Sequence, residues 1–120
     1  MKTMQPDRTV LHNIYGDSRE NMIEIFSEFL SSYPDIRKSL FSAFESGNLN
    51  SFKRVLHYHG PSFNYLGLPE VADMFQDLKL KCYRVENHFT LSKDFETLMK
   101  TMEGGWLQAK NEMEYLKEVV

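Results

Sequence analysis

The chain has 120 residues, 42% of them apolar and 26% charged, so one soluble globular domain is expected over 1–120, with its core at about 18–118. Fourteen Lys and Arg against seventeen Asp and Glu leave a formal net charge of −3, which argues against a general nucleic-acid binder. The lone Cys82 excludes an internal disulfide and a cysteine zinc cluster, and no apolar run is long enough for a signal peptide or a membrane span, so a cytoplasmic address fits.

Residues 6–15 carry Val10, Leu11, Ile14 and Tyr15 on one side and end at Gly16, which predicts a short first helix. Asp17 then reads as an N-cap, and Glu20 completes a capping box with it. Met22, Phe26, Phe29, Tyr33, Ile36, Leu40 and Phe44 follow at spacings of four and three, one face of a long helix. Pro34 lies inside that run and is expected to bend the helix rather than end it, because the stripe stays in phase on both sides. Gly47 stops it. Asn48 looks like a fresh N-cap, followed by the stripe Leu49, Phe52, Leu56, His59, Phe63 and Leu66, with Gly67 closing the segment. Pro69 opens a helix with Val71, Met74, Phe75, Leu78 and Cys82 inside. Residues 82–91 read as a connection, although the run CYRV also suits a strand. The last helix, from Ser92 on, carries Phe95, Leu98, Met102, Trp106, Ala109, Met113 and Leu116. The expected fold is all-α: an antiparallel up-and-down four-helix bundle with a short additional N-terminal helix.

The informative stretch is FKRVLHYHGPSFNYLGL, residues 52–68. On a wheel of ~100° per residue the stripe above faces the core, and His57 lies opposite it. Lys53 is one turn below the ring, Arg54 shares its outer half, and Gly60 and Pro61 stand one turn above. Neighbouring cations bias an imidazole toward its neutral, nucleophilic form, and the same cations stabilise a negative group arriving at the ring. Gly60, with no side chain, is expected to leave the space above the ring open. Pro61 cannot donate to the carbonyl of His57, so either the backbone kinks there or that carbonyl finds water.

Plainer readings stand beside these. A lone surface histidine is more often only that. His59, on the core stripe, reads as a buried or half-buried ring with one nitrogen satisfied. It is two residues from His57, so the two face different ways and make a poor metal pair. His12 and His88 have no local ligand partners. The Met and Phe stripes are core, and the acidic runs are solvated helix faces. Tyr58, Pro61 and Tyr65 lie on the outer half with His57 and suit a docking surface, or else the tyrosines pack on an adjacent helix.

The run HYHGPSFNYLGL resembles the signature of histidine-containing phosphotransfer domains, small helical bundles that relay phosphoryl groups between receiver domains. His57, Pro61, Ser62, Leu66 and Gly67 fall without a gap on the family's phosphorylatable histidine, small residue, serine and closing Leu-Gly. Val55, Leu56 and the Phe-rich helix with its central Pro34 also suit the family, and the likeness covers roughly residues 18–116. The resemblance implies a phosphohistidine carrier rather than a self-contained enzyme. His57 attacks, through Nε2, an aspartyl phosphate on a response-regulator receiver domain, and a second receiver takes the group onward. It implies a sensor or hybrid histidine kinase upstream, a monomer, no membrane or nucleic-acid partner, and no metal or other cofactor of its own, Mg²⁺ belonging to the receiver's acidic pocket. Lys53, Arg54, Gly60, Ser62 and Asn64 are then the residues around the phosphoryl group and ring. One position departs from the pattern. Where the family carries a lysine three residues after the histidine, this chain has Gly60, and Lys53 is the candidate to supply that charge. A docking module that keeps the fold and lacks the chemistry is the competing reading. No catalytic triad or acidic metal motif is visible to support an independent enzyme.

Overall fold

The computed structural model describes residues 6–118, and within them every regular element is helical. The short helix α1 (Arg8–Tyr15) starts at Asp7, whose side chain accepts from the N–H groups of Thr9 and Val10. Of its four expected inner residues only Leu11 is buried; Val10 and Tyr15 are half-buried and Ile14 is exposed.

The long helix α2 (Arg19–Glu45) begins one residue later than the capping pattern suggests. Its N-cap is Ser18, whose hydroxyl accepts from Asn21 N–H, while the Asp17 carboxylate faces His12 Nδ1 at 3.8 Å. The helix runs through Pro34 without a break, and Phe26, Phe29, Tyr33, Ile36, Leu40 and Phe44 are all buried. Met22, the first member of the stripe, is half-buried against this core.

Helix α3 (Leu49–His59) is capped by Asn48, which accepts from Ser51 N–H. The chain from Asn48 to Gly67 is not one α-helix. At Gly60 it tightens into a 3-10 helix (Gly60–Leu66), with Pro61 in its first turn. A proline nitrogen cannot serve the carbonyl four residues back, so the α pattern ends and a tighter winding of three residues per turn takes over. Gly67 then reverses the chain at φ +72°, a left-handed conformation that favours glycine, and its carbonyl accepts from Asp7 N–H at 2.6 Å. That bond fastens the start of α1 to the end of the 3-10 helix.

Helix α4 (Pro69–Lys81) buries Val71, Ala72, Phe75 and Leu78, with Cys82 just past its end. The segment after it holds turns and a single 3-10 turn (His88–Leu91) and no strand among the described residues, so CYRV is a helix end and turn.

Helix α5 (Ser92–Glu118) passes straight through Gly104 and Gly105. Its buried stripe is Phe95, Leu98, Met102, Gly105, Ala109, Glu112 and Leu116, so two expected members are displaced by one position. Trp106 and Met113 are half-buried at the edge instead. Tyr33 of α2 stacks on Trp106 (5.4 Å between centroids, 20° between planes). Glu112 is held by Arg8 of α1, with Nε to Oε1 at 3.1 Å and Nη2 to Oε2 at 3.3 Å. A buried carboxylate needs such a partner.

Packing closes a ring: α2 lies against α3 and α5, and α4 lies against α3 and α5. The molecule measures 52 × 26 × 24 Å, its long dimension set by the two 27-residue helices. Phe44, Phe52 and Phe95 form one aromatic cluster, with Phe44 stacked on Phe95 at 4.2 Å and Phe52 edge-on to both. Phe29, Phe63 and Phe75 form another, beneath the 3-10 helix. Together they hold α3 by its inner face and leave its outer face to water.

Candidate functional site

Because Phe52 and Leu56 are buried at 1% exposure each, the residues opposite them on α3 have to project outward. His57 and Arg54 are exposed and Lys53 is half-exposed. These three line a shallow groove with Asn50 of the same helix and with Lys79 and Tyr83 from the end of α4 and just beyond. Lys53 Nζ sits 3.9 Å from the centroid of the Tyr83 ring, a cation–π contact that ties the two walls. Among the described residues none of Lys53, Arg54 and Lys79 forms an ion pair with a carboxylate. The groove therefore presents three cations and an imidazole to solvent.

Asn50, Lys79 and Tyr83 are the groove residues that sequence reasoning missed, and Lys79 is the one in contact with the ring. Its Nζ lies 3.2 Å from Nδ1 of His57. The two are 22 residues apart, on different helices, so no spacing on one wheel could have paired them. The signal was indirect: the stripe Val71, Phe75, Leu78 places Lys79 on the flank of α4 next to α3.

Gly60 has a different role from the one expected. It is buried, and a Cβ added there would lie 2.9 Å from Cβ of Phe75. Glycine at this point lets α3 and α4 approach; it does not clear space above the His57 ring. Ser62 is likewise not beside the ring. It is exposed and lines a separate depression with Ile25, Phe29 and Ile36 of α2 and with Tyr65 of the 3-10 helix. The change of winding after His59 carries these later positions away from the course of a continued α-helix. Asn64 is exposed in the 3-10 helix, and its carbonyl accepts from Gly67 N–H.

The three docking candidates are exposed. Tyr58 is 78% accessible and meets His59 edge-on, Pro61 is at the surface, and Tyr65 is 54% accessible. The Tyr65 carbonyl accepts from the Tyr15 hydroxyl at 2.7 Å, so α1 braces the backbone beneath it. His59 is half-buried, as its place on the stripe suggests, and burial pulls its pKa below the usual imidazole value. Cys82 is buried near the groove. Burial pushes its thiol up against the opposing pull of Lys53, which disfavours the thiolate a nucleophile would need.

Among the described residues no three His, Cys, Asp or Glu side chains gather as a metal site, and no helix is long and apolar enough to cross a membrane. The arrangement can bind an anion beside a solvent-facing imidazole. Set against known protein families, curated proteins and solved structures, the chain matches none of them.

Proposed function

We propose that this chain is a phosphorelay intermediate of the histidine-containing phosphotransfer kind, built as an antiparallel four-helix bundle, α2 to α5, with α1 added at one end. His57 accepts a phosphoryl group from a receiver-domain aspartate, or from a hybrid kinase, and yields it to another response regulator. The observation that carries this reading is the exposed His57 in a groove with Lys53, Arg54 and Lys79. A nucleophile for an aspartyl phosphate needs an open approach and cations to receive the phosphoryl oxygens. The protein is a carrier and the receiver, with its Mg²⁺, supplies most of the catalysis. Tyr58, Pro61 and Tyr65 form part of the docking face. The protein acts in the cytoplasm, as a monomer.

A docking module without phosphotransfer is the second reading. Gly60 favours it, because the lysine of the family pattern is missing there. Three cations delivered to the groove from elsewhere weigh against it. The test is incubation with a radiolabelled phospho-receiver. Acid-labile, alkali-stable label should appear on the wild type and vanish in His57→Gln. Wild-type protein that takes no label from a competent donor would leave the docking module standing, and label retained in the variant would move the site elsewhere.

A further inference from the structure

The ammonium of Lys79 carries three donors and no acceptor. Its contact with Nδ1 of His57, at 3.2 Å, therefore requires a lone pair on Nδ1. The proton of the neutral resting ring is then on Nε2. Attack on phosphorus through Nε2 requires the opposite arrangement, a lone pair on Nε2 and the proton on Nδ1. A ring bonded to Lys79 in this way is in the form that cannot attack through Nε2.

The other cations of the groove are placed differently. Lys53 is seated on the Tyr83 ring, and Arg54 lines the groove without a hydrogen bond to His57 among the described residues. Lys79 is the cation in direct contact with the imidazole. It reaches the ring from α4, whereas a Cβ at Gly60, the position three after His57, would lie 2.9 Å from that of Phe75.

We propose that Lys79 is the phosphoryl-positioning residue of this site and also its resting cap: an incoming phosphoryl anion draws the ammonium off Nδ1, and this frees the ring for attack. The inference rests on the phosphotransfer reading above. In the step, Lys79 moves its hydrogen bond from Nδ1 to a phosphoryl oxygen. The ring gives the Nε2 proton to water and takes one from water at Nδ1, with no net change. The Nε2 lone pair then forms the N–P bond. The P–O bond to the aspartyl carboxylate breaks, and the carboxylate leaves with the bonding pair. The product is an Nε2-phosphorylated imidazolium with its proton on Nδ1 and its phosphoryl oxygens on Lys79.

Three variants test this: Lys79→Met, Lys79→Arg and, as a control, Lys53→Met. Transfer from a phospho-receiver is timed at saturating receiver, and the imidazole nitrogens of the unphosphorylated protein are followed by ¹⁵N–¹H correlation. Lys79→Met is expected to slow transfer by about a hundredfold, the usual effect of removing one preorganised electrostatic donor. Lys79→Arg should restore most of the rate, and Lys53→Met should slow it less. In the donor-free spectra, wild-type Nδ1 should appear unprotonated and hydrogen-bonded, and Lys79→Met should return it to the position of a free imidazole. An unchanged rate in Lys79→Met, or a wild-type Nδ1 that already carries the proton, would overturn the role of Lys79 while leaving phosphotransfer intact. Absence of label on the wild type would remove the phosphotransfer reading and this inference with it.

Discussion

The inner and outer faces of the pair α3 and α4 differ in what a substitution costs. Inside, Phe52 packs on Phe44 and Phe95, and Phe75 closes on Phe63 and Gly60, so each added or deleted carbon has to be accommodated by a neighbour. Outside, Lys53 rests on the Tyr83 ring, Lys79 meets His57, and Arg54 lines the same open groove. One stretch of chain thus packs into the core on one side and presents charged groups to the groove on the other. Under the proposed phosphotransfer, stability should follow the first face and phosphoryl handling the second.

The sharpest way to break that division is from the inside. Phe52→Ala should cost about 3–5 kcal/mol in urea denaturation, because it empties a site packed by Phe44 and Phe95. A loss much below that would mean the aromatic cluster does not hold α3 in place. Gly60→Ala should cost about 1–3 kcal/mol, since its Cβ would meet that of Phe75. Gly60→Lys should cost more, so installing the lysine of the phosphotransfer pattern is expected to harm the fold rather than improve the site. A stable Gly60→Lys variant with faster transfer would contradict this account.

Smaller effects sharpen the comparison. Arg8→Met should cost about 1 kcal/mol, because Arg8 is itself largely exposed while its partner Glu112 is buried, and a double-mutant cycle with Glu112→Gln would isolate the pair. His59 contributes a pH dependence. Its pKa in the fold lies below the ordinary imidazole value, so the unfolded chain binds more protons as the medium acidifies. Its contribution to stability is present above the unfolded value, ~6.5, and is lost as pH falls through that value toward the folded one. Melts at descending pH should show this in the wild type and less of it in His59→Gln. Smallest of all, Arg54→Ala should change stability by less than about 0.5 kcal/mol while slowing phosphoryl transfer. A fall in stability as large as the fall in rate would erase the distinction between the faces.

Local chemistry made much of this readable beforehand. The cap at Asn48, the start of α4 at Pro69, the passage of α2 through Pro34 and the outward direction of His57 all depend on residues within a few turns of each other. Periodicity failed where a core position carried a residue that does not look like core. Gly105 and Glu112 complete the α5 stripe, one through lack of a side chain and the other through Arg8, and both were passed over for Trp106 and Met113. The wheel also failed past Gly60, where the tighter winding moved Ser62 to another depression.

The order of apolar and polar residues, by itself, determined that this chain is helical, where most of its helices begin, and that His57 faces away from the core. Each of those follows from interactions no longer than a helical turn. Only the tertiary structure decided that Lys79 meets the His57 ring and that Gly60 is needed against Phe75. Both depend on how closely and at what offset α3 and α4 pack, and that offset is set by the joint fit of many distant side chains.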